Sequence, residues 1–266
     1  MCNNIKLCFV EEKAFFVVGR ERMCMEVLDV LVEVCLEQAG SYTLDGLRVG
    51  LGYTCAAVSG DEERSAGLAA TLLHDMSPRC TQLKRAGGLA GLPLDEVLAQ
   101  EPKTCTERAV VLACCNALLN RNVPEQRTDV LASELSGKDV GMVGLFASLV
   151  PEMKRMARSL VIVEKNEALA SQGVVRDITA VSDCDVVLVS SSTIVNDTVD
   201  DVLSACGGAV VMLGASTPMS FSVFPDHVSV LAGRAVVDIE GAMRVVSEGG
   251  GTPALSKHTR KLTLKR

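Results

Sequence analysis

Hydroxyl and amide side chains stand at Ser190, Ser191, Ser192, Thr193, Asn196 and Thr198, directly behind the apolar run Val186-Val-Leu-Val189. One or two such residues satisfy the orphan N–H groups at a helix start. The surplus suits another task, because uncharged donors and acceptors clustered at a strand end grip carboxylates, phosphates or hydroxyls. Ser192, Thr193, Asn196 and Thr198 are therefore candidate ligand-binding residues. A second apolar run, Val210-Val-Met-Leu213, ends the same way in Gly214-Ala-Ser-Thr-Pro218. Pro218 fixes the turn, and Ser216 and Thr217, with Gly214 beside them, are expected to face the same crevice.

Gly141-Met-Val-Gly144 and Glu164 point to a different chemistry. Glycines behind a strand let an anion approach backbone N–H groups. An acid roughly 20 residues further on is where dinucleotide-binding domains hold a ribose hydroxyl, and Glu164 lies 23 positions after Gly141. The third glycine of G-x-G-x-x-G is missing, and Phe146-Ala-Ser-Leu-Val-Pro151 stands where the helix should open. Nucleotide binding and a glycine turn that merely relieves crowding both fit this spacing. Gly249-Gly-Gly251 closes the last helix, and three glycines exceed what one left-handed cap position needs. That excess leaves room for close approach of a ligand or a neighbouring subunit. His74, His227 and His258 are far apart in the chain, and no Ser-His-Asp or Cys-His pairing can be placed among them.

The elements that must position these residues form two textures. Val140 to Leu145, Leu160 to Val163, Val186 to Val189, Val210 to Leu213 and Val228 to Leu231 read as strands, separated by helical stretches at 151–158, 198–205 and 239–247. Alternation of this kind predicts a parallel sheet of about five strands, whose carboxyl edge is the expected ligand crevice. The first half is mixed. It holds a short strand at Phe15 to Val18, a helix from Met23 to Gln38, a strand from Val49 to Val58 with Gly50 and Gly52 open to another backbone, and a helix from Cys105 to Asn120. Arg121-Asn-Val-Pro-Glu-Gln-Arg-Thr128 breaks that helix and marks the expected domain boundary.

Composition narrows the partners. The chain of 266 residues is 48% hydrophobic but only 3% aromatic, without Trp, so single-stranded nucleic acid would find few stacking faces. A net charge of −7 and a pI near 5.1 repel a phosphate backbone, and the basic segment Lys257 to Arg266 reads as a solvated tail. Eleven cysteines in odd number, without a Cys-x-x-Cys, read as reduced buried thiols rather than a disulfide framework or a zinc site. No apolar run approaches the roughly 20 residues of a membrane span, and the amino terminus lacks the pattern of a signal peptide. A soluble cytoplasmic protein with neither nucleic-acid nor membrane partners is expected.

Five segments carry a family resemblance: Gly141-x-x-Gly144 with Pro151, Glu164-Lys-Asn166, Thr193-Ile-Val-Asn196 with Thr198, Gly214-x-Ser-Thr-Pro218, and Gly249-Gly-Gly251. In order and spacing they resemble an uncharacterised family named for heavy-metal chelation, over nearly all of residues 130–255. The first half, with Gly50-Leu-Gly-Tyr-Thr54, Gly67-Leu-Ala69 and Asn116-Ala-Leu118, resembles the domain that usually precedes it, whose fold is similar to the enolase amino-terminal domain. The resemblance implies an α/β protein: an enolase-N-like α+β domain over 1–128 packed on a Rossmann-like parallel-sheet domain over 129–266, with a site at their interface. It implies that Asn166, Gly249, Gly250, Gly251, Thr54 and Asn116 join the residues above, and that a heavy or transition metal is handled. Three positions depart from the family's pattern: Ser191 and Asp197 stand where glycine is expected, and Ala215 where proline is common.

Three readings follow. In the first, the cleft between the domains binds a small chelating ligand or its metal complex. Glu164, Asp197, Asn196 and the hydroxyls offer hard oxygen donors, no soft Cys/His cluster is visible, and a metal would be held jointly with the chelator. In the second, the protein is an enzyme dependent on NAD or S-adenosylmethionine, with Glu164 at its centre. In the third, glycine-rich edges build a homo-oligomeric scaffold, which leaves the hydroxyl surplus unexplained.

Overall fold

Short side chains let the amino-terminal elements approach one another closely. The computed structural model describes residues 17–18, 21–22 and 26–266, apart from positions 62, 77, 79, 125–129, 167 and 169–172. A two-residue antiparallel pair, β1 (Val17–Val18) and β2 (Glu21–Arg22), comes first. Phe15, Phe16 and Met23 to Met25 of the expected strand and helix lie outside the described residues, as does the second half of the expected domain boundary, 125–128. Helix α1 (Val27–Ala39) buries Val27, Leu28, Leu31, Cys35 and Ala39, a single helical face. Strands β3 (Thr43–Val49), β4 (Tyr53–Ser59) and β5 (Arg64–Ala70) form an antiparallel sheet in that order. Helices α2 (Leu94–Leu98) and α3 (Cys105–Leu119) follow.

Thr104 starts α3, because its hydroxyl accepts from the Glu107 N–H (3.1 Å) while the Glu107 carboxylate accepts from the Lys103 N–H (2.9 Å). Every residue from Ala109 to Leu118 is buried, so α3 is a core helix enclosed on all sides. At Gly67 in β5 a Cβ would lie 2.2 Å from the Ala113 carbonyl oxygen, and only glycine lets the helix backbone rest on the strand at that distance.

The second half is a six-stranded sheet. Its elements are α4 (Val130–Leu135), β6 (Asp139–Val143), α5 (Val150–Met156), β7 (Ser159–Val163), β8 (Val186–Ser190), α6 (Ser192–Val195), α7 (Val199–Ala205), β9 (Ala209–Leu213), β10 (Val228–Val236), α8 (Ile239–Ser247), α9 (Thr252–Leu255) and β11 (Thr259–Lys265). The strand order is β11-β10-β9-β8-β6-β7, parallel from β7 to β10 and antiparallel only at β10–β11. Chain direction across the sheet therefore reverses between β6 and β8, the switch point of a doubly wound fold.

Both faces of this sheet are covered. Val140, Met142, Ile162, Val186, Leu188 and Val211 meet Leu135 and Met153 from α4 and α5. The alternate residues Val143, Val163, Val187, Val189, Val210 and Met212 belong to one continuous core with α1 and α3. On the far side of the antiparallel sheet, Cys55, Ala57, Ala66 and Leu68 pack on Ala242, Met243 and Val246 of α8 and Leu255 of α9. The two sheets are thus tied together through α3 on one side and α8 on the other.

The carboxyl-terminal segment corrects the reading of a solvated tail. Thr259 to Lys265 pairs along its whole length with β10, Leu262 is buried, Lys261 and Lys265 are exposed, and Arg260 donates to the Arg121 and Val123 carbonyls. Lysines and arginines on an edge strand are the usual protection against further strand addition. The sheet therefore has six strands rather than five. Among the described residues no helix is long and apolar enough to cross a membrane.

Candidate functional site

A cavity of about 430 Å³ opens where β6, β7 and β8 end, at the switch point of the sheet. Val143, Leu145, Phe146, Val163, Ile178 and Val202 make its apolar wall, and Ser190, Ser192, Thr193, Asn196 and Thr198 the polar one. Gly144, Glu164, Lys165, Asn166, Arg176 and Asp201 complete the sheet's contribution, while Leu72 and His74 reach in from the first half of the chain.

Gly144 makes the first turn, with φ of 85° and an ideal Cβ only 2.8 Å from the Ser190 Cβ, so its glycine serves both conformation and space. Glu164, at the end of β7, accepts from the Leu145 N–H through one oxygen and from the Asn166 N–H through the other, each at 2.9 Å. Its carboxylate ties the β6 turn to the β7 turn. The segment behind it returns to the sheet edge, with Val175 bridged to Val163, and this places Arg176 at the cavity.

Behind β8 the polar residues divide. The Ser190 and Ser192 hydroxyls share a bond of 2.8 Å, and Thr193 donates to the Ser190 carbonyl at 2.8 Å. With its amide assigned so that oxygen meets donors and nitrogen meets acceptors, Asn196 accepts from Lys165 Nζ (2.9 Å) and donates to the Thr193 carbonyl (3.0 Å) and to Thr198 Oγ1 (2.7 Å). Lys165 Nζ also pairs with Asp75 Oδ1 at 2.9 Å, and His74 Nε2 stands 3.6 Å from Asp75 Oδ2. A polar chain therefore runs from His74 through Asp75 and Lys165 to Asn196 and Thr198, joining both halves of the protein along the cavity wall.

Asp197 occupies the position where the family pattern expects glycine, and its φ of 63° gives the reason. Aspartate tolerates the left-handed region better than most residues. Its carboxylate pairs with Arg108 of α3 rather than joining the cavity lining. Ser191, the other departure, is buried and shares a bond of 2.7 Å with Thr217.

The remaining candidates are placed elsewhere. Gly141 lies within β6, where a Cβ would meet Val181 and Val187 at 3.0–3.2 Å. Ser216 and Thr217 do not face the crevice. Both are buried: the Ser216 hydroxyl accepts from the Ala70 N–H (2.8 Å), and Thr217 donates to the carbonyls of Gly214 and Ala232. Thr54 shares a bond of 3.0 Å with Thr71 inside the first half, whereas Asn116 donates to the Leu68 and Ser216 carbonyls at 2.9 and 3.0 Å, so Asn116 and the Gly214 to Pro218 turn fasten the two sheets together. Asn120, one helical turn beyond Asn116, does the same through the Thr217 and Arg234 carbonyls and the Met219 N–H. Gly249, Gly250 and Gly251 close α8 against the β3–β4 hairpin: Gly249 has φ of 74° with Leu51 beside it, and a Cβ on Gly50 would lie 2.1 Å from the Val246 carbonyl oxygen. His74, Lys165, Arg176 and Asp201 line the cavity without having been singled out. Only the adjacency of Lys165 to Glu164 could have marked any of them.

Fold and site define an open α/β protein with a half-open, mostly apolar pocket at the switch point of its sheet. The chain belongs to the DUF364 family, described as "Putative heavy-metal chelation", whose model matches residues 127–265; a second model of the same description, DUF4213, matches residues 32–119. No curated protein matches it. Among solved structures it is similar to a DUF364 protein of unknown function from Pyrococcus horikoshii, at 20% identity and a TM-score of 0.75, covering 90% of this chain and 100% of that one. A DUF364 protein of unknown function from Desulfitobacterium hafniense DCB-2 gives 21% identity and a TM-score of 0.72, covering 90% and 98%. At such identities the likeness speaks for the fold.

The family's description raises the question of a metal, and the donor set does not fit a protein-made cage. Among the described residues no three His, Cys, Asp or Glu side chains converge as ligands. Soft metals are held by thiolates, yet Cys55 and Cys114 are buried and burial pushes both thiols up to about 12. Burial raises the Cys105 thiol as well, with the Asp75 charge adding to it. Each Glu164 oxygen already accepts from a backbone N–H group, and two cations, Lys165 and Arg176, share the cavity with it.

Proposed function

We propose that the switch-point cavity binds a small organic ligand, free or carrying a metal, and that this is how a chain of this family takes part in metal chelation. The observation that carries the reading is the lining itself: an apolar wall faces a wall of hydroxyl, amide and ammonium groups in about 430 Å³, the size and texture of small-molecule sites. The roof formed by Leu72 and His74 makes it a cleft between the two halves of the protein. Native mass spectrometry with elemental analysis, on protein purified without chelators, tests it. A co-purified molecule should be lost from Ser192→Phe, which fills the cavity. A molecule retained by that variant would place the ligand elsewhere.

One observation favours a second reading, that of a nucleotide-dependent enzyme. Glu164 ends the second strand of the sheet beside a glycine turn, where dinucleotide folds keep the acid that binds ribose. Each of its oxygens keeps a lone pair after bonding one N–H. Glu164→Gln should then weaken NAD or S-adenosylmethionine by about 1–3 kcal/mol. Equal affinity of the two proteins in calorimetry removes this reading.

A further inference from the structure

The cavity is rich in donors, and these bear on the charge of what it holds. An ammonium carries three N–H donors. Asp75 and Asn196 take two of those on Lys165, and the residue lines the cavity. Thr198 Oγ1 already accepts from Asn196, so its own hydrogen is left to donate. The Ser190–Ser192 pair uses one hydroxyl hydrogen internally and keeps the other. Arg176 adds a second cation on the same wall, where its Nη2 donates to the Lys165 carbonyl at 3.0 Å. Of the lining carboxylates, Glu164 already accepts one backbone N–H at each oxygen, and Asp201 is exposed on α7. Unspent donors so arranged suit an oxyanion, and among the described residues no three His, Cys, Asp or Glu side chains converge to hold a bare metal ion.

Building on the ligand-binding reading above, we propose that the cavity takes an organic oxyanion, a carboxylate or a phosphate, gripped by Lys165, and that metal enters it only inside a complex of net negative charge. Asp75 and Asn196 hold the ammonium in place. The first half of the chain thereby supplies part of the specificity of a cavity built mostly by the second.

The test is a charge series on the full chain, read by thermal shift and calorimetry. The probes are citrate, inorganic phosphate, nickel(II)–citrate, free nickel(II), the cationic nickel–ethylenediamine complex and neutral inositol. Citrate or phosphate, and nickel–citrate if carboxylate is the preferred group, should stabilise the protein. Binding should weaken as salt rises, fall by about tenfold or more in Lys165→Met and persist in Lys165→Arg. The double variant Lys165→Met/Asp75→Asn, which leaves no orphan carboxylate, replaces the single one if that fails to fold. Free nickel, the cationic complex or inositol binding as well as the anions, with no effect of Lys165→Met but loss in Ser192→Phe, overturns the oxyanion inference and leaves the cavity reading standing. A panel in which no member binds the wild-type protein overturns both.

Discussion

Gly144 and Asp197 both adopt positive φ beside the cavity, 85° and 63°, but only the first is glycine. At Gly144 a methyl group would also press on Ser190, so Gly144→Ala should lose about 2 kcal/mol or more in urea unfolding, through φ strain and the clash together. At Asp197 the strain is accepted in a residue that tolerates it and reaches Arg108. The neighbouring Asp200 gives a pH signature. Burial holds its carboxyl above the ordinary range, the charges of Asp197 and Asp201 add to this, and the Val27 N–H that it accepts at 3.1 Å opposes it only in part. A folded value above the unfolded one means that the native state keeps the proton longer, so this group lowers stability as pH rises out of the ordinary carboxylate range. Asp200→Asn keeps an oxygen for Val27 and removes the charge. Its melting temperature should exceed that of the wild type at pH 7, with the gain vanishing near pH 3.5, roughly below the usual aspartate value. A gain that is the same at both pH values would show that charge is not its source.

Helix α3 and the turn after β9 show how elements share one task. Asn120 makes two bonds to that turn and one to Arg234 of β10 from a side chain that is buried, so Asn120→Ala should cost about 2–4 kcal/mol, measurable as a lowered urea midpoint at unchanged slope. A loss under half a kilocalorie would mean that the turn is held by its apolar contacts alone. The same turn explains what could be read from the sequence. Small hydroxyl residues behind an apolar run look alike whether they face a ligand or a neighbouring backbone. Ser192, Thr193, Asn196 and Thr198 came to line the cavity, while Ser216 and Thr217 came to bind β5 and their own turn. Strands β6 to β10 were legible because strands buried on both faces are continuous apolar runs. Strand β11 was not, because its two leucines, Leu262 and Leu264, stand among lysines and arginines and the edge strand so resembles a charged tail. The roles of His74 and Lys165 were hidden for another reason: Asp75 lies about 90 residues from its partner, and only the assembled fold brings them together.

The two halves share one core, and the molecule should behave accordingly. Calorimetry should give a single endotherm, whereas two resolved transitions would show that the core is not cooperative across the sheets. Residues 130–266 expressed alone would uncover the face formed by Val187, Val189, Val210 and Met212 and should aggregate; a soluble, folded fragment would argue against the shared core. Because α3 is enclosed on all sides, its burial also has a timetable in the cell. The helix is complete in sequence when synthesis has reached Leu119, but the turn that Asn116 and Asn120 fasten lies about 100 residues later. At about 5–20 residues per second that is an interval of roughly 5–20 s in which an apolar helix waits for its second partner. A nascent chain paused in that interval is the form of this protein on which a chaperone would act.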